Sequence, residues 1–379
     1  MHICVISHSF PTSKTIDFVF VDQICRQFAD KGHQVTIIAP QSVTKCLLRG
    51  IPFVKYKSAL TTAQGHHITL LRPIWFSLGN KLTFLVRNSY IKSVIRTLQK
   101  EKLLPDVIYG HFWAQAIAAM PYAKEHCIPI IAVAGEGVLD THLKMTREAI
   151  EAVHQYVSGV ICVSTKSKTE SIEAGFADET QCIVIPNAID NSLFYPHDRQ
   201  TVRSRLGLNA DDFVVAFVGQ FNSRKGVHRL SEALTRIGNE HIKALFMGRG
   251  AEKPTYEHVA FEGTVNHDQL PEYLSSADVF VLPTDNEGCS NAIIEAMACG
   301  LPILSSDRDF NHDVLDNTNS ILFDPYDVDA IALAIRRLYE NVALRNRLSA
   351  GALATAQGLT IDVRADKILK YLRDRTSDK

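Results

Sequence analysis

The segment Phe213-Val-Val-Ala-Phe-Val-Gly-Gln-Phe-Asn-Ser-Arg-Lys-Gly226 joins a run of apolar residues to a polar turn that contains glycine. A helical pattern follows the turn, and this order is typical of a βα unit in a parallel sheet. Similar units lie on both sides of the segment. They predict an α/β fold of two Rossmann-like domains that face each other across a cleft. Ligands of such sheets bind outside the carboxyl ends of the strands.

The other apolar runs predict the remaining strands. In the first series we expect strands over His2–Ser7, Gln34–Ala39, Val107–His111, Ile128–Val133, Val160–Val163 and Cys182–Ile185, with a helix over Phe18–Lys31. In the second series we expect strands over Phe213–Val218, Ile242–Met247, Val279–Leu282 and Leu301–Leu304. A polar stretch near residues 190–210 separates the two series. The predicted domains therefore cover residues 1–190 and 200–358.

The composition is that of a globular protein. Of the 379 residues, 46% are hydrophobic and 21% are charged, which argues against disorder, collagen and a coiled coil. The eight cysteines contain no CxxC pair, a pattern typical of a reducing cytosol. No apolar run is long enough to span a membrane, and the first residues lack the cationic region of a secretion signal. The sequence therefore predicts a cytoplasmic protein.

The net charge of -1 conceals a strong asymmetry. Residues 1–105 contain 14 Lys or Arg and four Asp or Glu, whereas the rest of the chain contains 26 and 37. Such a basic half indicates either an anionic partner or a solvated basic face. Residues 81–102 in that half predict a basic amphipathic helix, which suits peripheral contact with an anionic membrane surface. The alternative is a helix packed on the first domain with its charges in water. No nucleic-acid-binding motif occurs, so no nucleic acid partner is expected.

A loop and a helix after the predicted strand Val279–Leu282 carry two carboxylates, Glu287 and Glu295. Between them, Gly288 allows a ligand to approach the backbone, and Ser290 or Asn291 can cap the helix. The amides at the start of that helix favour an anion. Carboxylates beside an anion site suit a ligand whose phosphates are flanked by the hydroxyls of a sugar and a ribose. An ordinary capped helix with surface glutamates is the alternative.

A basic turn follows the predicted strand Phe213–Val218. Arg224 and Lys225 lie there between Gly219 and Gly226. The two side chains offer a fork of donors and a point charge for a diphosphate. They would stabilise a leaving nucleoside diphosphate without a metal ion.

These two segments resemble those of the retaining nucleotide-sugar glycosyltransferases of family 4, which have the GT-B fold. The resemblance extends in the second half over Val184-Ile-Pro-Asn-Ala-Ile-Asp190, Phe246-Met-Gly-Arg-Gly250, Phe261-Glu-Gly-Thr-Val265 and Ala277-Asp-Val-Phe-Val-Leu-Pro283. In the first half it is looser and includes Asp106-Val-Ile-Tyr-Gly-His111.

The resemblance implies a role for each matching residue. Glu295 would bind the ribose hydroxyls, Glu287 would contact hydroxyls of the transferred sugar, and His111 would act at the reacting face of that sugar. Arg224 and Lys225 would hold the diphosphate. The other donor-binding positions are Gly219, Gly248, Gly250, Thr264, Val265, Gly288, Cys289, Ser290 and Asn291.

Three assignments in the first domain have structural alternatives. His111 follows a strand, where a buried histidine is equally natural. Glu136 lies between glycines at the end of a predicted strand, where it would contact the acceptor or the sugar or complete a turn. Asp17 is a candidate acceptor base or an acid at the start of a helix.

The resemblance also implies the reaction. A sugar would move from a nucleotide-diphosphate sugar to a hydroxyl of a glycan or lipid-linked acceptor, with retained configuration and without a metal ion or other cofactor. The first domain would bind the acceptor and the second the donor, and residues 359–379 would pack back on the first domain. Cell-surface polysaccharide or glycolipid synthesis at the inner face of the membrane is the expected context.

Other classes of function have less support in the sequence. Gly248-Arg-Gly250 lacks the third glycine of the dinucleotide motif, and no phosphate-binding P-loop or nucleophile elbow occurs. A nucleotide-sugar epimerase of the same fold and a non-catalytic nucleotide-sugar sensor at the membrane are the two alternatives to a transferase.

Overall fold

The computed structural model describes residues 1–12, 18–76 and 83–376, and the chain divides into two compact domains. The first domain comprises Met1–Val163, Ser167–Ile185 and Ala365–Lys379. The second comprises Ser164–Lys166 and Pro186–Arg364. Each domain contains its own parallel sheet with helices, so the predicted α/β class with two Rossmann-like domains is confirmed.

The first domain alternates strands and helices along most of its length. Its strands are β1 (His2–Ile6), β2 (Gln34–Ile38), β3 (Gln41–Ser42), β4 (Lys57–Thr61), β5 (His67–Leu71), β6 (Ile74–Trp75), β7 (Val107–His111), β8 (Ile130–Ala134), β9 (Val157–Cys162) and β10 (Cys182–Val184). Its helices are α1 (Val19–Asp30), α2 (Val43–Arg49), α3 (Thr83–Lys100), α4 (Trp113–Glu125), α5 (Arg147–Tyr156) and α6 (Thr165–Glu173).

Eight of these strands form one sheet in the order β10-β9-β8-β7-β1-β2-β5-β4, and β3 pairs with β6 separately. Strand β1 is central: Ile3 pairs with Val35 of β2 on one side and with Val107 of β7 on the other. All pairs of the large sheet are parallel except β4 with β5. The carboxyl ends of β1, β2, β5 and β7 therefore meet at one edge of the sheet, where ligands of α/β proteins bind.

The second domain follows the same alternation. Its strands are β11 (Phe213–Phe221), β12 (Ile242–Gly250), β13 (Val259–Gly263), β14 (Val279–Leu282), β15 (Ile303–Ser306) and β16 (Ser320–Phe323), and its helices are α7 (Arg199–Arg205), α8 (Val227–Ile237), α9 (Leu270–Ser275), α10 (Asn291–Ala298), α11 (Val328–Glu340) and α12 (Val342–Gln357). The six strands are parallel and ordered β13-β12-β11-β14-β15-β16. The last helix of the chain, α13 (Ile361–Thr376), begins in the second domain and continues in the first.

Burial on both faces explains which strands the sequence predicts well. Every residue of β7, β8 and β14 is buried, and such strands appear in a sequence as continuous apolar runs. The edge strand β4 alternates exposed and half-buried residues instead. Strands β4, β5, β13 and β16 were not predicted from the sequence.

Helix α3 corrects part of the membrane prediction. Tyr90, Val94 and Leu98 are buried in the core of the first domain, so these apolar side chains of the helix are not available for insertion into a lipid surface. Lys92 and Arg96 are exposed. Residues 81 and 82 and the side chains of 83–87 lie outside the description. No helix in the described ranges is both long and apolar enough to cross a membrane.

The end of α13 is attached to the sheet of the first domain by Tyr371. The Tyr371 hydroxyl donates to the carbonyl oxygen of Gln181 at 2.5 Å and accepts from the amide of Val160 at 3.1 Å. A Cβ at Gly159 would lie 2.4 Å from the Tyr371 hydroxyl oxygen. The absence of a side chain at this position of β9 therefore creates the space that the phenol ring occupies.

A buried ion pair joins α7 to the sheet of the second domain. Arg203 is 4% exposed, and its Nη2 lies 2.6 Å from Oδ2 of Asp278. Asp278 also accepts from Arg199 at 3.0 Å and from the amide of Val214 at 2.8 Å. The Asp278 carboxylate thus pairs with a buried guanidinium of α7 and accepts a hydrogen bond from the start of β11. It therefore holds α7 against the sheet.

We expect loss of this carboxylate to destabilise the second domain. Asp278→Ala leaves Arg203 buried without its counter-ion, which typically lowers the free energy of unfolding by about 3–5 kcal/mol. The matched control is Glu272→Ala, which removes an exposed partner 3.6 Å from Arg205 and is expected to cost less than about 1 kcal/mol. Urea denaturation of the intact protein, followed by circular dichroism, measures both. Equal losses in the two variants would contradict a structural role for the buried pair.

Candidate functional site

The glycines of β11 and β12 allow the two strands to come together at their carboxyl ends. Gly219 pairs with Gly248, and Phe221 pairs with Gly250. A Cβ at Gly248 would lie 1.8 Å from the carbonyl oxygen of Gly219, and a Cβ at Gly250 would lie 2.1 Å from that of Phe221. Glycine at 248 and 250 is thus required by the neighbouring strand itself. The sequence predicted a role in donor binding for both glycines, and the packing of the two strands is a second reason for them.

The turn after β11 is held by hydrogen bonds within the second domain. Gly226, the residue before α8, has a φ of 77°, and a Cβ there would lie 2.4 Å from the carbonyl oxygen of Pro283. The guanidinium of Arg229 donates to that same carbonyl at 2.7 Å and to the carbonyl of Ser223 at 2.8 Å. The backbone that carries Arg224 is therefore fixed to the end of β14.

Glu287 is the centre of the site. Its Oε1 lies 2.7 Å from Nη1 of Arg224 and 2.6 Å from Nζ of Lys225. The hydroxyl of Thr284 donates to the same oxygen at 2.9 Å. The structure thus brings together three residues that the sequence assigned to one site, although 62 residues separate Lys225 from Glu287.

Burial strengthens the electrostatics of this cluster. The side chains of Lys225 and Glu287 are 12% and 13% exposed, whereas that of Arg224 is 41% exposed. Charges with little access to water interact through a lower effective dielectric constant. Two cations and one carboxylate leave a surplus positive charge, and this surplus suits a ligand with a diphosphate group.

The start of α10 differs from the predicted capped helix. Ser290 occupies the N-cap position, but its side chain makes no capping hydrogen bond. Its Oγ is buried and has no hydrogen-bond partner in the described part of the chain. The loop is held by Asn187, whose side-chain amide donates to the carbonyl of Cys289 at 3.0 Å and to Oδ1 of Asn291 at 2.8 Å. Arg364 donates to Oδ1 of Asn187 at 3.0 Å.

The side chain of Cys289 is buried. The side chain is 8% exposed, and burial raises the pKa of its thiol to about 11. The thiol therefore stays protonated near neutral pH. Gly288 precedes it in the loop after β14.

Glu295 lies on α10, about one turn after the loop, and is hydrogen-bonded to a histidine that was not among the predicted site residues. Nε2 of His267 lies 3.3 Å from Oε1 of Glu295. The hydrogen bond to this carboxylate raises the pKa of His267, against the effect of burial. Thr264 and Val265 immediately follow β13, three and two residues before His267.

In the first domain, His111 ends β7 inside a group of aromatic rings. It is 5% exposed, and the ring centroids of Phe112 and Phe20 lie 4.7 Å and 5.1 Å from its own. The next residue, Phe112, has a φ of 85°. A positive φ is costly for a bulky residue and is found preferentially at functional sites.

Glu136 completes the turn that carries this histidine. Its carboxylate accepts from the amide of Trp113, the first residue of α4, at 2.9 Å and from the amide of Gly135 at 3.0 Å. Burial raises the pKa of Glu136, and the backbone hydrogen bonds oppose that shift. Both carboxylate oxygens are engaged by the protein, which favours the structural alternative of the sequence analysis. The other first-domain candidate, Asp17, lies outside the described residues.

Two family models match the chain in succession. The model described as Glycosyltransferase Family 4 matches residues 18–193, and the model described as Glycosyl transferases group 1 matches residues 198–354. The first covers most of the first domain and the second covers most of the second.

Similar proteins agree with these matches. A protein of Bacillus subtilis, named as a candidate teichuronic acid biosynthesis glycosyltransferase, TuaC, is 27% identical over 354 residues, which are 90% of each chain. The structure resembles sucrose-phosphate synthase from Thermosynechococcus elongatus with a TM-score of 0.78 at 19% identity over the whole of both chains. It also resembles Anabaena HepE, solved with UDP and glucose, with a TM-score of 0.73 at 20% identity over 98% of both chains.

The paired matches, the relatives and the two Rossmann-like domains lead to one assignment. The chain belongs to the glycosyltransferases of GT-B fold and family 4 type.

Proposed function

We propose that this protein moves a sugar from a nucleotide-diphosphate sugar to a hydroxyl of a glycan or lipid-linked acceptor, with retention of configuration and without a metal ion. The observation that carries the proposal is the contact of Arg224, Lys225 and Glu287 through one carboxylate oxygen. The HepE structure with UDP and glucose supports a nucleotide-sugar donor.

In the proposed reaction, the cations act on the leaving group. Breaking the bond between the sugar and the diphosphate increases the negative charge on the phosphate oxygens. Arg224 and Lys225 are already held in place by Glu287 and by the turn after β11, so they stabilise this charge without reorganising. Part of the Coulombic interaction that they now make with Glu287 passes to the diphosphate.

The two glutamates have different surroundings and are assigned different tasks. Arg224 and Lys225 both contact Oε1 of Glu287, so its other carboxylate oxygen is assigned to hydroxyls of the transferred sugar next to the diphosphate. Glu295 is 12% exposed and bonded to His267, away from the cation pair. It is assigned to the ribose, and Thr264 and Val265, which follow β13, are assigned to the base.

The first domain is assigned to the acceptor. His111 is proposed to act on a sugar hydroxyl, and the rings of Phe20 and Phe112 keep its imidazole in place. Glu136 then serves as a positioning residue through the amide of Trp113. The similarity to TuaC over 90% of both chains supports a role in cell-surface polysaccharide synthesis.

The first test is a panel of UDP-, GDP- and ADP-sugars assayed for release of the nucleoside diphosphate in the presence of EDTA. One donor is expected to respond, and Arg224→Ala/Lys225→Ala is expected to lower its kcat/KM by about 100-fold or more, because two groups that stabilise the leaving charge are lost. Arg336→Ala, which alters an exposed arginine of α11, serves as the charge control.

The product decides between the alternatives. An NMR spectrum that shows the same anomeric configuration in donor and product is expected for a retaining transferase. Inversion would overturn the stereochemical proposal, and loss of turnover in EDTA would overturn metal independence. Formation of an altered free sugar without any acceptor would identify an epimerase, and binding without turnover would identify a sensor.

Single glutamate variants test the division of tasks. Glu287→Ala removes the carboxylate that competes for the cations, so affinity for a nucleoside diphosphate without sugar is expected to stay equal or to increase, while turnover falls. Glu295→Ala removes acceptors for the ribose and is expected to weaken the same affinity by about 10-fold. Calorimetric titration measures both, with Glu240→Ala at an exposed position as control. Equal affinities in the two variants would contradict the assignment.

We also propose that the first domain contacts an anionic membrane surface through a basic groove beside α3. The groove has a volume of about 540 Å³ and is lined by Lys92, Arg96 and Lys100 together with Ile74 and Phe76. Ile74 and Phe76 are each 56% exposed. Exposed apolar side chains next to a row of cations suit an interface with acidic headgroups.

Neutralising the groove is expected to weaken binding to vesicles. The triple variant Lys92→Gln/Arg96→Gln/Lys100→Gln removes three charges worth about 1 kcal/mol each near an anionic surface, which corresponds to a loss of about 100-fold. Co-sedimentation with phosphatidylcholine vesicles, with and without phosphatidylglycerol, measures it. The control variant Lys124→Gln/Lys144→Gln/Arg147→Gln removes the same charge at exposed positions elsewhere in the domain. Equal binding by the two triple variants would overturn the proposal.

A further inference from the structure

A second cavity lies in the first domain, at the carboxyl ends of β1, β2 and β5. It has a volume of about 300 Å³, which is within the range of small-molecule sites. Phe10 and Thr12 line it from the segment after β1, Gln41 lines it from the segment after β2, and Arg72 and Trp75 line it after β5. This edge of the sheet is where ligands of α/β domains bind. None of the donor residues proposed above belongs to it.

Arg72 is the unusual residue of the cavity. It is 6% exposed, and the terminal nitrogens of its guanidinium donate to the carbonyls of Phe10 and Pro11, the latter at 2.6 Å. Its Nε is buried and has no hydrogen-bond partner within residues 1–12, 18–76 and 83–376. Burial lowers the pKa of the guanidinium. A charge removed from water in this way is costly unless it is paired.

The described surroundings supply no carboxylate for this charge. The residues that line the cavity include no Asp or Glu, although they include a second cation, Lys45. Asp22 lines a neighbouring cavity on the other side of Arg72, but it is bonded to Arg26 at 2.9 Å. Among the lining residues that the structure describes, positive charge is therefore in excess.

The frame of the cavity is rigid. The side-chain amide of Gln41 donates to the carbonyls of Val54 and Arg72 at 2.9 Å and 3.0 Å, and its oxygen accepts from the amide of Val54 at 3.0 Å. These bonds join the segment after β2 to the backbone on either side. The largely buried ring of Trp75 contributes an apolar surface to the same cavity. A ring with apolar faces and one anionic substituent matches this surface and the cations.

We propose that this cavity binds an anionic saccharide, in which a carboxylate or phosphate group is held by Arg72 and Lys45 while the sugar ring lies against Trp75. The proposal rests on the transferase function proposed above and specifies its acceptor: the substrate that receives the sugar carries a negative charge. The neutral saccharides of similar size are then poor ligands of this cavity.

Binding without a donor tests the proposal independently of turnover. The intact protein is titrated with glucuronate, glucose 6-phosphate, inorganic phosphate and methyl glucoside and followed by NMR. The titrations are repeated in the Arg224→Ala/Lys225→Ala background, where an anion can no longer bind at the donor cations. We expect at least one anionic sugar to bind in both backgrounds and to bind at least 10-fold more tightly than methyl glucoside.

Variants of the cavity provide the decisive comparison. Lys45→Met and Arg72→Gln are each expected to lower the affinity for the anionic sugar by 10-fold or more. Lys55→Met, at an exposed position outside the cavity, is expected to leave that affinity unchanged. If Arg72→Gln does not fold, the affinity of Lys45→Met alone tests the proposal. Lys45 is exposed, so its replacement is not expected to affect folding.

The outcomes show whether the bound anion is a carboxylate or a phosphate group, and they distinguish failure of the cavity proposal from failure of the proposed transferase function. Binding of glucuronate indicates an acidic-sugar acceptor, and binding of glucose 6-phosphate indicates a phosphorylated one. Binding of inorganic phosphate alone, equal binding of methyl glucoside, loss of binding in the Arg224→Ala/Lys225→Ala background or full affinity in Lys45→Met would each overturn the proposal. Failure of every nucleotide sugar to react would refute the transferase function but would leave these affinities as measured.

Discussion

One carboxylate oxygen organises the site of the second domain. Oε1 of Glu287 accepts hydrogen bonds from the guanidinium of Arg224, the ammonium of Lys225 and the hydroxyl of Thr284. These contacts join the turn after β11 to the loop after β14, which are adjacent strands of the sheet. The same contacts keep two like charges close together, which is unfavourable without a shared anion. Glu287 therefore balances the charge of the turn, whose backbone is held separately by Arg229.

The parts of the fold that the sequence predicted are those in which burial alone determines the pattern. Strands β7 and β14 were predicted with their observed bounds because every residue in them is buried. Strand β4 was not predicted because its one-sided burial resembles a loop in composition. In helix α3 the apolar periodicity suggested a lipid interface, but Tyr90, Val94 and Leu98 pack in the core, so the membrane proposal rests on the exposed cations beside them. Periodicity identifies an apolar face and does not identify what covers it.

The candidate site was predictable where chemistry is concentrated in one segment. Arg224 and Lys225 are adjacent in the chain, and Glu287 follows a buried strand, so their assignment needed only the rule that strand ends converge. No role was predicted for Asn187, although it lies in a stretch that resembles the family, or for the isolated His267, because their contacts with Cys289 and Glu295 span 102 and 28 residues. The cationic cavity around Arg72 was missed for the same reason. The excess of basic residues before Lys102 pointed to an anionic partner but could not distinguish a buried Arg72 from the exposed cations of α3.

The close approach of Gly219 and Gly248 has a consequence for ligand binding. No side chain separates β11 from β12 at this point, so the sheet itself fixes the backbone from which the basic turn starts. The conformation of that backbone is fixed when the domain folds, before any ligand binds. An arriving ligand meets groups that already have their final positions, and the conformational entropy of the strand ends is not lost again on binding. Affinity at this site then depends on how well a ligand fits, rather than on how much of the chain it must first immobilise.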